Sequence, residues 1–110
     1  MNKNTLGVLG LAMRAGKAAP GANNTLEAVR AGKAKLVLIA ADASDNTRKN
    51  VSDKSRYYGV ECTVCGAGSA ELGHALGKSS SSAVAITDAG FVTAYKKSLE
   101  ATAANRERGM

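Results

Sequence analysis

The stretch P-G-A-N-N-T-L-E-A-V-R-A-G-K-A-K-L-V-L-I-A-A, Pro20 to Ala41, sets the layout of the whole chain. Pro20-Gly21 breaks the backbone, because proline fixes φ and lacks a donor while glycine opens the left-handed region. Asn23 and Asn24 then open a short helix, expected over about Asn23 to Ala31, stopped by Gly32, with Leu26 and Val29 facing inward. Asn23, Glu27 and Arg30 fall at i, i+4 and i+7, which makes a separate polar stripe. Lys33 and Lys35 lead into Leu36–Ala41, a short continuous apolar run that predicts a strand buried on both faces. Unpaired backbone N–H groups and two side-chain amides therefore share one exposed helix end. Amides donate to and accept from base edges, and a helix N-terminus attracts phosphate. An ordinary helix start is the plain structural alternative.

Outward from this stretch, helices and short strands alternate. Toward the N-terminus, Thr5 is a candidate N-cap for a helix with Leu6, Leu9 and Met13 on one stripe and Gly16 as its stop. Its internal glycines suit close approach to a neighbouring element. Downstream, Asp42 to Asp45 turns the chain into a helix over about Asp45 to Tyr58, closed by Gly59, with Thr47, Val51 and Tyr58 inward. Val60–Cys65 is expected as a strand, Ser69 as the cap of a helix stopped by Gly77, and Lys78 with Ser79 to Ser82 as a polar loop. Ala83–Thr87 is expected as another buried strand, followed by a helix over about Ala89 to Ala101. The alternation predicts an α/β fold, a three-layer α/β/α sandwich around a small mixed sheet of about four strands. One domain over residues 1–104 and a polar tail over 105–110 follow.

A chain of 110 residues with 45% hydrophobic content is long enough to bury a core without disulfides or metals. No apolar run nears the ~20 residues of a membrane span, and the first residues lack a secretory layout, so a cytoplasmic protein is expected. The formal net charge is +6. Residues 1–60 carry ten Lys/Arg against four Asp/Glu, and residues 61–110 carry five of each. All the excess positive charge thus lies in the half holding Pro20–Lys35, which favours a polyanionic partner.

Motifs for other chemistries fail on inspection. G-L-A-M-R-A-G-K-A, Gly10 to Ala18, has five residues between its glycines, no Ser/Thr after the lysine, and a helix end in front of it, so it is no phosphate-binding loop for nucleotide hydrolysis. In C-G-A-G-S-A-E, Glu71 stands where a dinucleotide fingerprint needs its third glycine. Cys62 and Cys65 fall in an expected strand, where an i, i+3 pair points to opposite faces, and are expected as buried structural thiols. His74, the single histidine, is expected on a helix surface, and no zinc set assembles around it. No catalytic residues, cofactor or metal are assigned. With four Phe/Tyr and no Trp, a sheet-face stacking platform for bases is not expected.

Taken together and in order, L-G-L-A-M-R-A-G-K, G-A-N-N-T-L-E-A-V-R-A-G-K-A-K-L-V-L-I-A-A-D-A-S, K-S-R-Y-Y-G-V, E-L-G-H-A-L-G-K and A-V-A-I-T-D-A-G-F resemble the kink-turn-binding ribosomal protein superfamily, in its small bacterial single-domain branch. The resemblance covers about Leu6 to Lys97. It implies an α/β/α sandwich that binds sharply bent RNA containing sheared G·A pairs, through a G-x-N-E-x-x-K signature at the start of the second helix. Gly21 and Asn23 fall on the signature's first two positions, while Asn24 replaces its acidic residue and Glu27 its lysine. A second family contact maps to the Lys78–Ser82 loop, polar here where relatives carry apolar residues.

The expected function is non-enzymatic binding of structured, kink-turn-like RNA by a ribosome-associated monomer, with a protein-interaction module of only non-specific RNA affinity as the alternative. The candidate RNA-binding residues are Gly21, Asn23, Asn24, Thr25 and Glu27 at the helix start, Lys17, Lys33, Lys35 and Lys78 on phosphates, and Ser79 and Ser80 in the loop. Arg14, Arg30, Arg48 and Lys49 would extend the basic surface.

Overall fold

Leu36, Val37, Leu38 and Ile39 form a strand in which no residue is more than 1% exposed. The computed structural model describes the backbone of residues 3–108 and the side chains of residues 3–99. In chain order the elements are α1 (Lys3–Arg14), β1 (Ala18–Pro20), α2 (Ala22–Arg30), β2 (Leu36–Ile39), α3 (Asp45–Tyr57), β3 (Cys62–Val64), α4 (Ser69–Ala75), β4 (Ala83–Ile86) and α5 (Ala89–Arg108). The sheet order is β1-β4-β2-β3, antiparallel at β1–β4 and β4–β2 and parallel at β2–β3. The two central strands, β2 and β4, are buried on both faces, which is why both read as unbroken apolar runs. Helices α2 and α3 pack on one another and on the sheet; α1 and α5 pack together against β1 and β4, with α4 beside α1. This is the expected α/β/α sandwich with a four-stranded mixed sheet.

Several local expectations change. The strand β1 (A-A-P) was not expected: three residues without apolar patterning become a strand by pairing with β4. Pro20 is tolerated there because an edge strand has one side that needs no donor. Thr5 lies inside α1, fully buried, and accepts a hydrogen bond from Ser98 Oγ at 3.1 Å, so it is no N-cap. The inner face of α3 carries Val51 and Ser55, whereas Tyr58 is 44% exposed. Helix α5 runs past Ala101 to Arg108, and the last two residues of the expected tail lie outside the described residues.

The expectation of glycine-mediated approach holds at Gly10, where an added Cβ would sit 3.1 Å from the Ala75 carbonyl oxygen. Gly7 has open space. Cys65 is buried just beyond β3 and Cys62 half-buried within it. Desolvation pushes both thiols above their usual pKa, against weaker hydrogen bonds that pull the other way.

Candidate nucleic-acid interface

Three helices begin at one end of the sheet. Gly21, whose φ of 87° suits a residue without Cβ, precedes α2, and its N–H reaches the Ala83 carbonyl at 2.8 Å. The chain leaving β2 donates from Ala40 N–H to Ser82 O at 2.9 Å before Ser44 caps α3 through Thr47 N–H at 3.1 Å. The chain leaving β3 meets the same end, where Ala41 N–H donates to Ala67 O at 2.8 Å. Ser69 is the first residue of α4, not its cap. The cap is supplied from afar, by Asp42 Oδ1, which accepts from both Ser69 N–H and Ser69 Oγ at 2.7 Å. Those bonds hold the Asp42 carboxyl below its usual pKa. A carboxylate with a lowered native pKa stabilises the fold above the ordinary carboxylate range, and that support is lost as pH falls through the native value.

The loop before β4 is fastened to the start of α2. Lys78 N–H donates to Gly73 O at 2.8 Å, and the chain then runs back across α4 until Ser81 N–H reaches Ser69 O at 2.9 Å. That path requires Gly73, because a Cβ there would lie 2.4 Å from Ser80 Cα. Ser81 is buried; its Oγ accepts from Gly21 N–H at 3.0 Å and donates to Ala83 O at 2.7 Å. One hydroxyl therefore fixes the serine loop against the glycine that opens α2. Sequence reasoning missed Ser81 and Gly73 as positioning residues. The glycine inside E-L-G-H-A-L was the available signal for a close crossing.

Around this end, Asn23 and Asn24 are both exposed. Asn24 Nδ2 donates back to Pro20 O at 2.8 Å, which leaves its amide oxygen outward as an acceptor. Asn23 makes no side-chain hydrogen bond among the described residues, and no side chain caps α2. Neither asparagine side chain caps α2, although Asn24 ties the helix start to Pro20. Ser79 and Ser80 are exposed in the loop that leads into Ser81, and Arg48 sits at the same end as Gly21, with long 3.5 Å contacts from its guanidinium to the Ala41 and Ala43 carbonyls. Glu27 is exposed one turn along α2 from Asn23, in no ion pair among the described residues.

One site expectation is corrected here, and a second set of residues is placed away from the helix start. Thr25 is fully buried, with its hydroxyl turned inward toward Ala19 O at 3.4 Å, so it holds the helix and is not available to a ligand. Lys17, Lys33 and Lys35 are exposed but lie at the opposite end of the sheet. Lys17 O accepts from Thr87 N–H at 2.9 Å and Lys35 N–H donates to Ile86 O at 2.8 Å, whereas Gly21 is paired at Ala83. Ile86 and Thr87 lie three and four positions from Ala83, ~10 Å or more at the usual strand rise. Lys33 follows the other end of α2, with its N–H on Ala28 O at 3.0 Å. Arg14 is elsewhere again, in a groove between α1 and α4 beside Glu71 and His74. Lys49 and Arg30 are exposed on α3 and α2.

Among the described residues no group of three His, Cys, Asp or Glu could hold a metal, and no helix is long and apolar enough to cross a membrane. What the site offers is a set of exposed amides and hydroxyls on a backbone braced at converging helix N-termini, on a small α/β/α sandwich.

That fold and that braced helix mouth define a class of small proteins presenting hydrogen-bonding groups on a rigid edge. The chain belongs to the ribosomal protein L7Ae/L30e/S12e/Gadd45 family, whose model matches residues 3–95. It is 41% identical over 98 residues to the RNA-binding protein YlxQ of Enterococcus faecium, covering 89% of this chain and 93% of that one. It is also 41% identical over 87 residues to the large ribosomal subunit protein eL30 of Yarrowia lipolytica, covering 74% and 76%. A solved Bacillus halodurans protein described as having unknown function superposes with a TM-score of 0.75 at 34% identity, covering 82% of this chain and 90% of that one.

Proposed function

We propose that this protein is a non-enzymatic, cytoplasmic RNA-binding protein that recognises sharply bent, kink-turn-like RNA and works in association with the ribosome. The observation that carries the reading is the pairing of Asn23, exposed and without an internal partner, with a neighbouring loop locked to Gly21 through Ser81. Bent RNA exposes base edges that a continuous duplex hides, and a braced backbone presents its exposed amides to such edges from fixed attachment points. The family, and relatives named as RNA-binding and ribosomal proteins, support the same reading. In it, Asn23 and Asn24 read base edges, Gly21 allows close approach, Ser79, Ser80 and Lys78 hold the backbone beside them, and Lys17, Lys33 and Lys35 attract more distant phosphates.

The test is a titration of the purified protein with a kink-turn RNA and with a straight duplex of equal length at several salt concentrations. Tighter binding of the bent RNA, with the preference persisting as salt rises, is the expected result. Equal affinities that collapse together with salt would reduce the protein to a non-specific cation.

A further inference from the structure

Helices α2 and α3 leave between them an open groove of about 570 Å³, on the flank of α2 away from its mouth. Its far wall is aromatic. Tyr57 is 82% exposed and Tyr58 44%, with ring centroids 5.0 Å apart and planes at 74°. That edge-to-face contact holds the two rings together and leaves most of the Tyr57 ring in water. Tyr95, by contrast, is buried, with 3% of its surface exposed. The chain's few aromatics are thus divided, and two sit side by side on the surface.

The groove is also cationic. Arg30 and Lys54 line it, and Arg56 adjoins Tyr57 in sequence. None of the three takes part in an ion pair among the described residues. Asn50 and Asp53, also in the lining, precede Tyr57 by seven and four residues and share its stripe of α3. A bare ring, unpaired cations, an amide and a carboxylate acceptor match a nucleotide: a flat apolar face, an anionic backbone and an edge with amino donors.

Position strengthens the match. Arg30 lies seven residues after Asn23 on the same exposed stripe of α2, ~10 Å at the helical rise. We propose that this groove is a second RNA contact, in which Tyr57 stacks on an unpaired base of the single strand flanking the bent helix. Arg30 and Lys54 hold its phosphates, and Asn50 and Asp53 meet its edge. The proposal rests on the RNA-binding reading above and extends it from the bent helix to the strand that leaves it.

The experiment uses two kink-turn RNAs, identical except that one carries a single-stranded tail of six adenosines on either end. Wild-type protein is expected to bind the tailed RNA more tightly, with quenching of tyrosine fluorescence, which no tryptophan obscures. Tyr57→Ala should cut affinity for the tailed RNA by about 5- to 100-fold, the scale of one lost base–aromatic stack, and leave the blunt RNA unchanged. Tyr57→Phe should keep wild-type affinity, since the ring face and not the hydroxyl is used. An unchanged melting temperature for Tyr57→Ala excludes unfolding. If Tyr57→Ala binds the tailed RNA as well as wild type while Asn23→Ala still weakens the blunt one, the groove proposal falls and the RNA reading stands. The tyrosines would then belong to a protein contact. A Tyr57→Phe variant as weak as Tyr57→Ala also overturns stacking, and wild-type protein that binds neither RNA overturns both readings.

Discussion

The two ends of the sheet differ in kind. At the end where Gly21 meets Ala83, three helices start, and the exposed groups are amides and hydroxyls braced by buried bonds through Ser81 and Asp42. At the end where Lys17 meets Thr87 and Lys35 meets Ile86, lysines stand in solvent, and α5 starts with its Phe91 N–H capped by Asp88 Oδ2 at 3.1 Å. Base-edge and shape recognition need the first arrangement, while long-range attraction of phosphate needs only the second. On the function proposed above, selectivity belongs to the first end and phosphate attraction to the second, and substitutions at the two ends should change different observables.

The largest effect is expected from the brace itself. Gly73→Ala places a methyl 2.4 Å from Ser80 Cα, against backbone that cannot rotate away. A loss of about 2–3 kcal/mol of folding stability follows from overpacking, with weaker bent-RNA binding as the loop leaves Gly21. Thermal unfolding and titration together check this, and wild-type values in both would break the link between the loop and the helix mouth. Next is Asn23→Ala, expected to weaken bent-RNA binding by about 1–3 kcal/mol, the scale of one specific polar base contact, with straight duplex and melting temperature unaffected. Equal losses on both RNAs would erase the distinction between the ends. The smallest and most uniform change belongs to Lys33→Ala combined with Lys35→Ala. It should weaken both RNAs alike and reduce the salt slope by roughly one per lysine that contacts phosphate. A loss confined to bent RNA would mean that the bend reaches across to the lysine end.

Sequence patterning located most of the elements because their signals are local. Leu36–Ile39 and Ala83–Ile86 are unbroken apolar runs, and α3 is bounded by the Ser44 cap and by Gly59 at φ 70°. The exposed stripe of Asn23, Glu27 and Arg30 also follows from helical periodicity alone. The strand β1 was illegible because A-A-P has no pattern of its own and exists through its neighbour. Thr25 looked like a site residue because it sits between an asparagine pair and a leucine. Its rotation into the core depends on the sheet beneath α2.

The amino-acid sequence by itself determined the order of the helices and of β2, β3 and β4, the doubly buried centre of the sheet, the excess of cations in the first half and the asparagines at a glycine-opened helix. Tertiary structure alone decided that the lysines next to those asparagines in the chain lie across the sheet from them, that Ser81 and Asp42 brace helix starts distant in sequence, and that Tyr57 and Tyr58 face water. The physical reason is that hydrogen-bonding chemistry and helical period act over a few residues, whereas strand order and direction decide which ends meet.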